Sequence, residues 1–406
     1  MNILELNAFE DYDKVAIDMR ACVGKNTGID KSQRDESIYM GFKSVVNKIF
    51  KSIKKHELVI DEVIYPYLYC CRHAIELGLK QNIKYILKLH SIKNIRLEVE
   101  KCLYGHNLKL LVDYLFRLAR IDRRLFEPLE EVKDSIDALL VELYMDKRGD
   151  MFKYTISSRK KENFKKNGIV AVNIIQHKFV CITNILEEIT RIVYVLVSEY
   201  FVGTYTNNLS RSDIEDIAQM LPPLNEFPTQ KFADIKKEIT TKYAISNTEF
   251  SKAVNIIKTH REFAQYINNE QKFGDLQEED FKNLVLAMKE YAQIDKNIKS
   301  DDMGVIAFED IPYTREINPA YKYASKISND NLKVLMSFIE VSMNGYYSEQ
   351  LDDLYNRLDF VEVDDYVINK CCYNSYKKLI KGFKKCGQLT YIKWLNKYYN
   401  EKEEMV

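Results

Sequence analysis

Apolar residues recur along this chain at intervals of three and four, with few interruptions. Val46 and Phe50, then Leu68, Cys71, Ile75 and Leu79, keep to one side of a 3.6-residue period, so residues 38–90 predict helices. Pro66 suits the first turn of one of them. Asn107 is placed to cap a helix carrying Leu108, Leu111, Val112, Leu115 and Leu118, and 127–146 predicts another. The pattern then changes. Phe152–Ser157 and Ile169–Ile175 are rich in β-branched and aromatic residues, with Asn167-Gly168 between them, which predicts a small β-hairpin. From His177 to Val202 the helical period returns at Phe179, Ile182, Ile185, Leu186, Ile189 and Val193, and Gly203 closes it. Ser212-Asp213-Ile214-Glu215 and Ser246-Asn247-Thr248-Glu249 match the capping box and predict two helix starts. Leu221–Pro228 and residues 295–319 read as connections, and helices resume to the end. The expected fold is mainly α: multi-helix bundles with one small β-hairpin insertion. Its blocks are 1–146, then 147–203 with the hairpin and long helix packed on the first, then a helical 204–406.

Composition supports this picture. The 406 residues include only 13 Gly and 7 Pro, so long helices meet few breakers. At 46% hydrophobic and 30% charged, the chain has both a core and a solvated surface. Lys plus Arg and Asp plus Glu are both 60, so no global charge draws it to nucleic acid or membrane. Eight cysteines without a C-x-x-C read as reduced thiols in a cytoplasmic protein. The N-terminus lacks a basic and apolar signal segment. The apolar run from Ile189 to Val202 is broken by Arg191 and Glu199, as in a buried helix and not a membrane span. P-loop, G-x-G-x-x-G, H-E-x-x-H and G-x-S-x-G motifs are absent from the sequence.

The candidate chemistry sits in Tyr65–Lys80. Arg72 and Glu76 share a face of an otherwise apolar helix, and charges in such a place need partners or a task. Two readings are open. In one, the pair is an internal brace. In the other, Arg72 grips a phosphate bidentately, Glu76 orients a neighbour, and His106 is the general base. His73 points about 100° away from Arg72 and suits a core or an interface. If the helix runs unbroken to His90, its end lies ~27 Å beyond Arg72 at ~1.5 Å per residue. His106 then reaches Arg72 only through a helix break near Gln81-Asn82 or across a dimer.

Arg72-His73-x-x-Glu76-Leu77-x-Leu79-Lys80, followed by Gly105-His106-x-Leu108-x-x-Leu111, resembles the HEPN superfamily over residues 60–120. The resemblance is to the Arg-His-x-x-Glu-Leu variety found in bacterial proteins. It implies a helical, dimeric scaffold. In many members it also implies a metal- and cofactor-independent endoribonuclease of phage-defence or toxin systems, and in others a silent module that binds a ligand or partner. Only Arg72, His73, Glu76 and His106 carry over. The compact Arg–His signature of catalytic members is absent here.

Two basic stretches remain. Val367–Asn400 has no acidic residue, and its lysines, among them Lys377, Lys381, Lys384 and Lys385, interleave with aromatics including Trp394. Lysines neutralise phosphates and rings stack bases, which suits single-stranded nucleic acid. Alternatively the block pairs with the acidic stretch Glu349–Asp365, or is a solvated helix face. Lys147–Lys166, with Lys160 and Lys161 at its centre, reads either as a basic finger or as an exposed hairpin tip. The leading expectation is an RNA-directed effector, with the Arg72–Glu76–His106 set cleaving to a 2′,3′-cyclic phosphate without metal. The alternative is an inactive helical module recognising a protein partner or a nucleotide.

Overall fold

In a computed structural model the chain is mainly helical. The structure describes residue 21 and residues 31–97, 99–154, 168–300, 320–358 and 365–400, with backbone alone at 31–34, 294–300 and 365–366. Two compact units divide it, Met1–Val197 and Ser198–Val406. No helix among the described residues is long and apolar enough to cross a membrane.

Unit 1 is built on α1 (Lys31–Lys54) and α2 (Ile60–Ile92), which pack together as a hairpin. After a 3-10 turn at Lys101–Tyr104 follow α3 (Leu108–Ala119), α4 (Arg123–Glu131), α5 (Lys133–Leu140) and α6 (Val172–Phe201), whose last turn crosses into unit 2. The face of α2 read from the periodicity is the buried one: Leu68, Cys71, Ile75, Leu79 and Ile83 are all sealed. Each such side chain contributes about 1.5–3 kcal/mol by leaving water. Polar contacts set the register of α2 against α6. Tyr67 Oη donates to Gln176 Oε1 at 2.8 Å, Asn82 Nδ2 to the Leu186 carbonyl at 3.1 Å, and Thr190 Oγ1 to Asn82 Oδ1 at 3.1 Å.

Three local expectations change. Pro66 lies inside α2, because the helix begins earlier, at Ile60. The expected helix over 127–146 is split into α4, α5 and a 3-10 turn at Leu143–Met145. Among the described residues there is no strand, so the hairpin is not seen. Residues 155–167 of that expectation, with Lys160 and Lys161, lie outside the described residues. Its second arm is helical from Val172 onward. The β-branched run Ile169–Ile175 favours a strand locally. However, Val172, Phe179, Ile182 and Leu186 form one apolar face that α6 buries, and packing overrides propensity.

Unit 2 continues with α7 (Arg211–Met220), α8 (Gln230–Lys242), α9 (Asn247–Thr259), α10 (Glu278–Ser300), α11 (Tyr321–Ala324), α12 (Asn329–Val341), α13 (Leu351–Arg357), α14 (Asp365–Cys372), α15 (Tyr376–Lys385) and α16 (Leu389–Asn400). Ser246 caps α9 as expected, accepting from the Glu249 N–H at 3.2 Å. The box expected at Ser212 sits two residues earlier, with Ser210 as cap and Asp213 reaching back. Two apolar clusters fill the unit, one under α7–α9 and one under α10–α16. Buried Arg211 joins segments from both. Its Nε meets Glu349 Oε1 at 2.8 Å, its Nη2 pairs with Glu262, and the Phe263 and Tyr347 rings lie 4.8 and 4.9 Å from its guanidinium. His260 Nδ1 accepts the Phe263 N–H, and Nε2 lies 2.9 Å from Glu349 Oε1, close enough for an ion pair but off the hydrogen-bond axis. Burial pushes the Glu349 carboxyl up, but His260 and Arg211 outweigh it and hold it far below the usual range. In α15, Gly382 allows a close helix crossing: a Cβ there would lie 2.1 Å from the Phe338 carbonyl oxygen of α12.

Candidate functional site

Arg72, Glu76 and Lys80 follow one another at i, i+4 and i+8 along α2 and line one face. Glu76 Oε2 accepts from Arg72 Nη1 at 2.7 Å, and Oε1 accepts from Lys80 Nζ at 2.8 Å. His106 joins them, with Nδ1 2.9 Å from Glu76 Oε1. Sequence reasoning allowed this meeting only through a broken helix or a dimer, yet α2 is unbroken to Ile92 and the contact lies within one chain. The connection after α2 doubles back along it. From Ile92 to the level of Glu76 is ~24 Å of helix, and residues 93–106 can span far more at ~3.3 Å each. The 3-10 turn at Lys101–Tyr104 and the extended Gly105 then set His106 beside Glu76, just ahead of α3. Asn107 caps α3 by accepting from the Lys109 and Leu110 N–H groups.

A fifth residue, Asp146, was not foreseen. Its Oδ1 accepts from the backbone N–H of Gly149 at 2.7 Å, Asp150 at 3.2 Å and Arg148 at 3.3 Å, closing the turn after Met145. Its carbonyl takes a bond from Arg72 Nη2 at 3.0 Å, and its Oδ2 lies 3.1 Å from Arg72 Nε. That last contact is off the hydrogen-bond axis, so it is an ion pair without a hydrogen bond. Arg72 Nη2 also donates to the His106 carbonyl. The string Asp146-Lys147-Arg148-Gly149 carries a turn signal that could have marked Asp146, because Asp accepts backbone N–H groups and Gly takes the left-handed position.

Arg72 is only 2% exposed and is enclosed by Glu76, Asp146 and two carbonyls. Gly149, at φ +76°, presses on the same place: a Cβ there would lie 3.2 Å from His106 Cβ and 3.4 Å from Arg72 Nη1. No anion can approach this guanidinium without displacing a carboxylate. Burial pushes the Glu76 carboxyl up, but hydrogen bonds from Lys80, Arg72 and His106 prevail and bring its pKa down to about 2. It is therefore charged at neutral pH, so the His106 Nδ1 facing it carries a proton and donates. The ring otherwise faces outward, its side chain 55% exposed. His73 belongs elsewhere, half-buried against α1. It stacks on Tyr69 with centroids 5.4 Å apart and meets Phe42 edge-on at 4.5 Å, and burial lowers its pKa.

The C-terminal block is within unit 2. Lys377, Lys381 and Lys384 are exposed on α15. Lys385 is turned inward and donates to the Val341 and Met343 carbonyls at the end of α12, where burial lowers its pKa. Trp394 is half-buried against Phe281 and Tyr391, with centroids 5.7 and 5.9 Å away, and is mainly a core residue. Comparison of the chain with family models, with curated proteins and with solved structures gave no match.

Proposed function

We propose that unit 1 is a catalytically inactive helical scaffold and binding module, in which the Arg72 network braces the chain. The observation that carries this reading is the sealing of Arg72. Its donors are committed to Glu76 and to the 106 and 146 loops, so it cannot also clamp a scissile phosphate. What the network does is fix the 93–107 return and the 146–150 turn onto α2, giving a stiff surface for a protein partner.

A second reading rests on a different observation: the half-exposed His106 imidazole, with Nδ1 held by an ionised carboxylate. That is the geometry of an oriented general base, and with the HEPN resemblance it supports RNA cleavage in which His106, not Arg72, acts on the ribose 2′-hydroxyl. Purified protein incubated with total cellular RNA, followed by mapping of cleaved ends, separates the two. The scaffold reading expects no cleavage that depends on His106. Ends bearing 2′,3′-cyclic phosphate that disappear in a folded His106→Ala variant would replace it with the enzyme reading.

A further inference from the structure

We propose that the α15–α16 end of unit 2 binds single-stranded nucleic acid, bases against a tyrosine cleft and phosphates along the lysine face of α15. This depends on unit 2 alone and stands apart from either reading of unit 1. The cleft has a volume of about 330 Å³ and is lined by Tyr291, Tyr373, Tyr376, Tyr399, Lys289 and Ser375 among others. Tyr376 and Tyr399 stack with centroids 3.7 Å apart and planes 13° from parallel. Tyr376 is tied down by its hydroxyl bond to Asn396 Oδ1 at 2.7 Å, and Tyr291 by its bond to Asn369. Tyr399 is 42% exposed, so the stack is open to a further ring on its outer side. Fixed aromatic platforms take successive bases without ordering cost to the protein.

The exposed α15 lysines beside the cleft have no acidic partner among the described residues. Lys377 and Lys378 occupy the first turn of the helix whose start lines the cleft, and Lys381 and Lys384 continue the row at helical spacing. Among the described residues Lys377, Lys378 and Lys384 have no acidic partner, and Lys381 reaches only Asn344 Oδ1 at 3.2 Å. Two acids of the stretch before this block are engaged elsewhere in the unit: Glu349 holds Arg211 and His260, and Asp352 holds Arg261. Lysines exposed along one helix face and aligned with exposed rings match a ligand alternating anionic groups with planar ones. An anionic membrane supplies the charge without the rings.

The test is fluorescence anisotropy of the full chain with labelled single-stranded RNA, single-stranded DNA and duplex DNA, and flotation with anionic vesicles. Single strands should bind, duplex more weakly. Log K should fall against log salt with a slope of about −3, from about −0.7 for each of four phosphates neutralised. Lys377→Gln with Lys384→Gln should bring that slope to about −1.4. Tyr399→Ala should weaken binding by roughly tenfold or more, while Tyr399→Trp restores it. The RNA and DNA arms show which strand is preferred, and either preference upholds the site. Absence of single-strand binding at low salt, vesicle binding alone, a flat salt response, or indifference to Tyr399 overturns it.

Discussion

Arg72→Met separates a brace from a phosphate clamp. The substitution keeps the length and apolar stem of the side chain and removes the charge that Glu76 and Asp146 enclose. Both carboxylates have side chains exposed by no more than 3%, so neither recovers its hydration by a small shift. Removing one partner of a buried ion pair costs about 3–5 kcal/mol, mostly through the charge left behind. Glu76 keeps Lys80 and His106, which places the loss toward the lower end of that range. For a domain of 150–250 residues each kcal/mol moves Tm by about 2–4 °C, so a fall of about 6–12 °C is expected. Far-UV circular dichroism follows the helices of both units, while the single tryptophan, Trp394, reports on unit 2, so a transition that shifts in the first signal and not in the second belongs to unit 1. Arg72→Lys should recover only part of the loss, because an ammonium cannot span Glu76, the His106 carbonyl and the Asp146 carbonyl together. The deficit should also narrow below pH 4.5, where protonation of Glu76 relieves the charge Arg72 no longer matches. A variant that melts with wild type would refute the brace.

Other outcomes follow from the same geometry. Glu76 ionises near 2 in the folded chain against 4.5 as its ordinary value, a depressed pKa, so its contribution is complete above pH 4.5 and lost as pH falls toward 2. The contribution is about 3 kcal/mol, and urea unfolding across that window should show a decline that Glu76→Gln flattens. Gly149→Ala forces a Cβ against His106 at φ +76°; it should cost ~1–2 kcal/mol and raise the reactivity of His106 toward diethylpyrocarbonate. Gly382→Ala sets a Cβ 2.1 Å from the Phe338 carbonyl oxygen. It should destabilise unit 2 by ~3 kcal/mol, seen as a lower urea midpoint in Trp394 emission.

Helices were legible where one apolar face repeats. Leu68, Cys71, Ile75 and Leu79 on α2 are buried as the spacing implies, and Asn107 and Ser246 cap as their chemistry implies. Errors arose where local preference and long-range packing disagree. Ile169–Ile175 has strand-forming residues, but four of its seven are drawn into α6 because Val172 extends a face that runs on through Phe179 and Ile182. Lys385 and Trp394 read as ligand-facing from composition, yet one completes the end of α12 and the other fills the core. Composition alone does not tell which side of a helix faces water.

The site was half legible for a comparable reason. An arginine in an apolar helix announces that something must neutralise it, and Glu76 at i+4 is the part of the answer that periodicity reveals. Asp146 and the two carbonyls come from loops, whose return onto α2 no spacing rule encodes. Arg211 repeats the arrangement independently in unit 2, buried, with Glu262 and Glu349 drawn from separate segments and a histidine on the second carboxylate. In each case a guanidinium offers several donors in fixed directions and so holds more than one loop at once, which an apolar side chain of the same volume cannot do. Two such nodes in one chain weigh toward bracing as the role of Arg72.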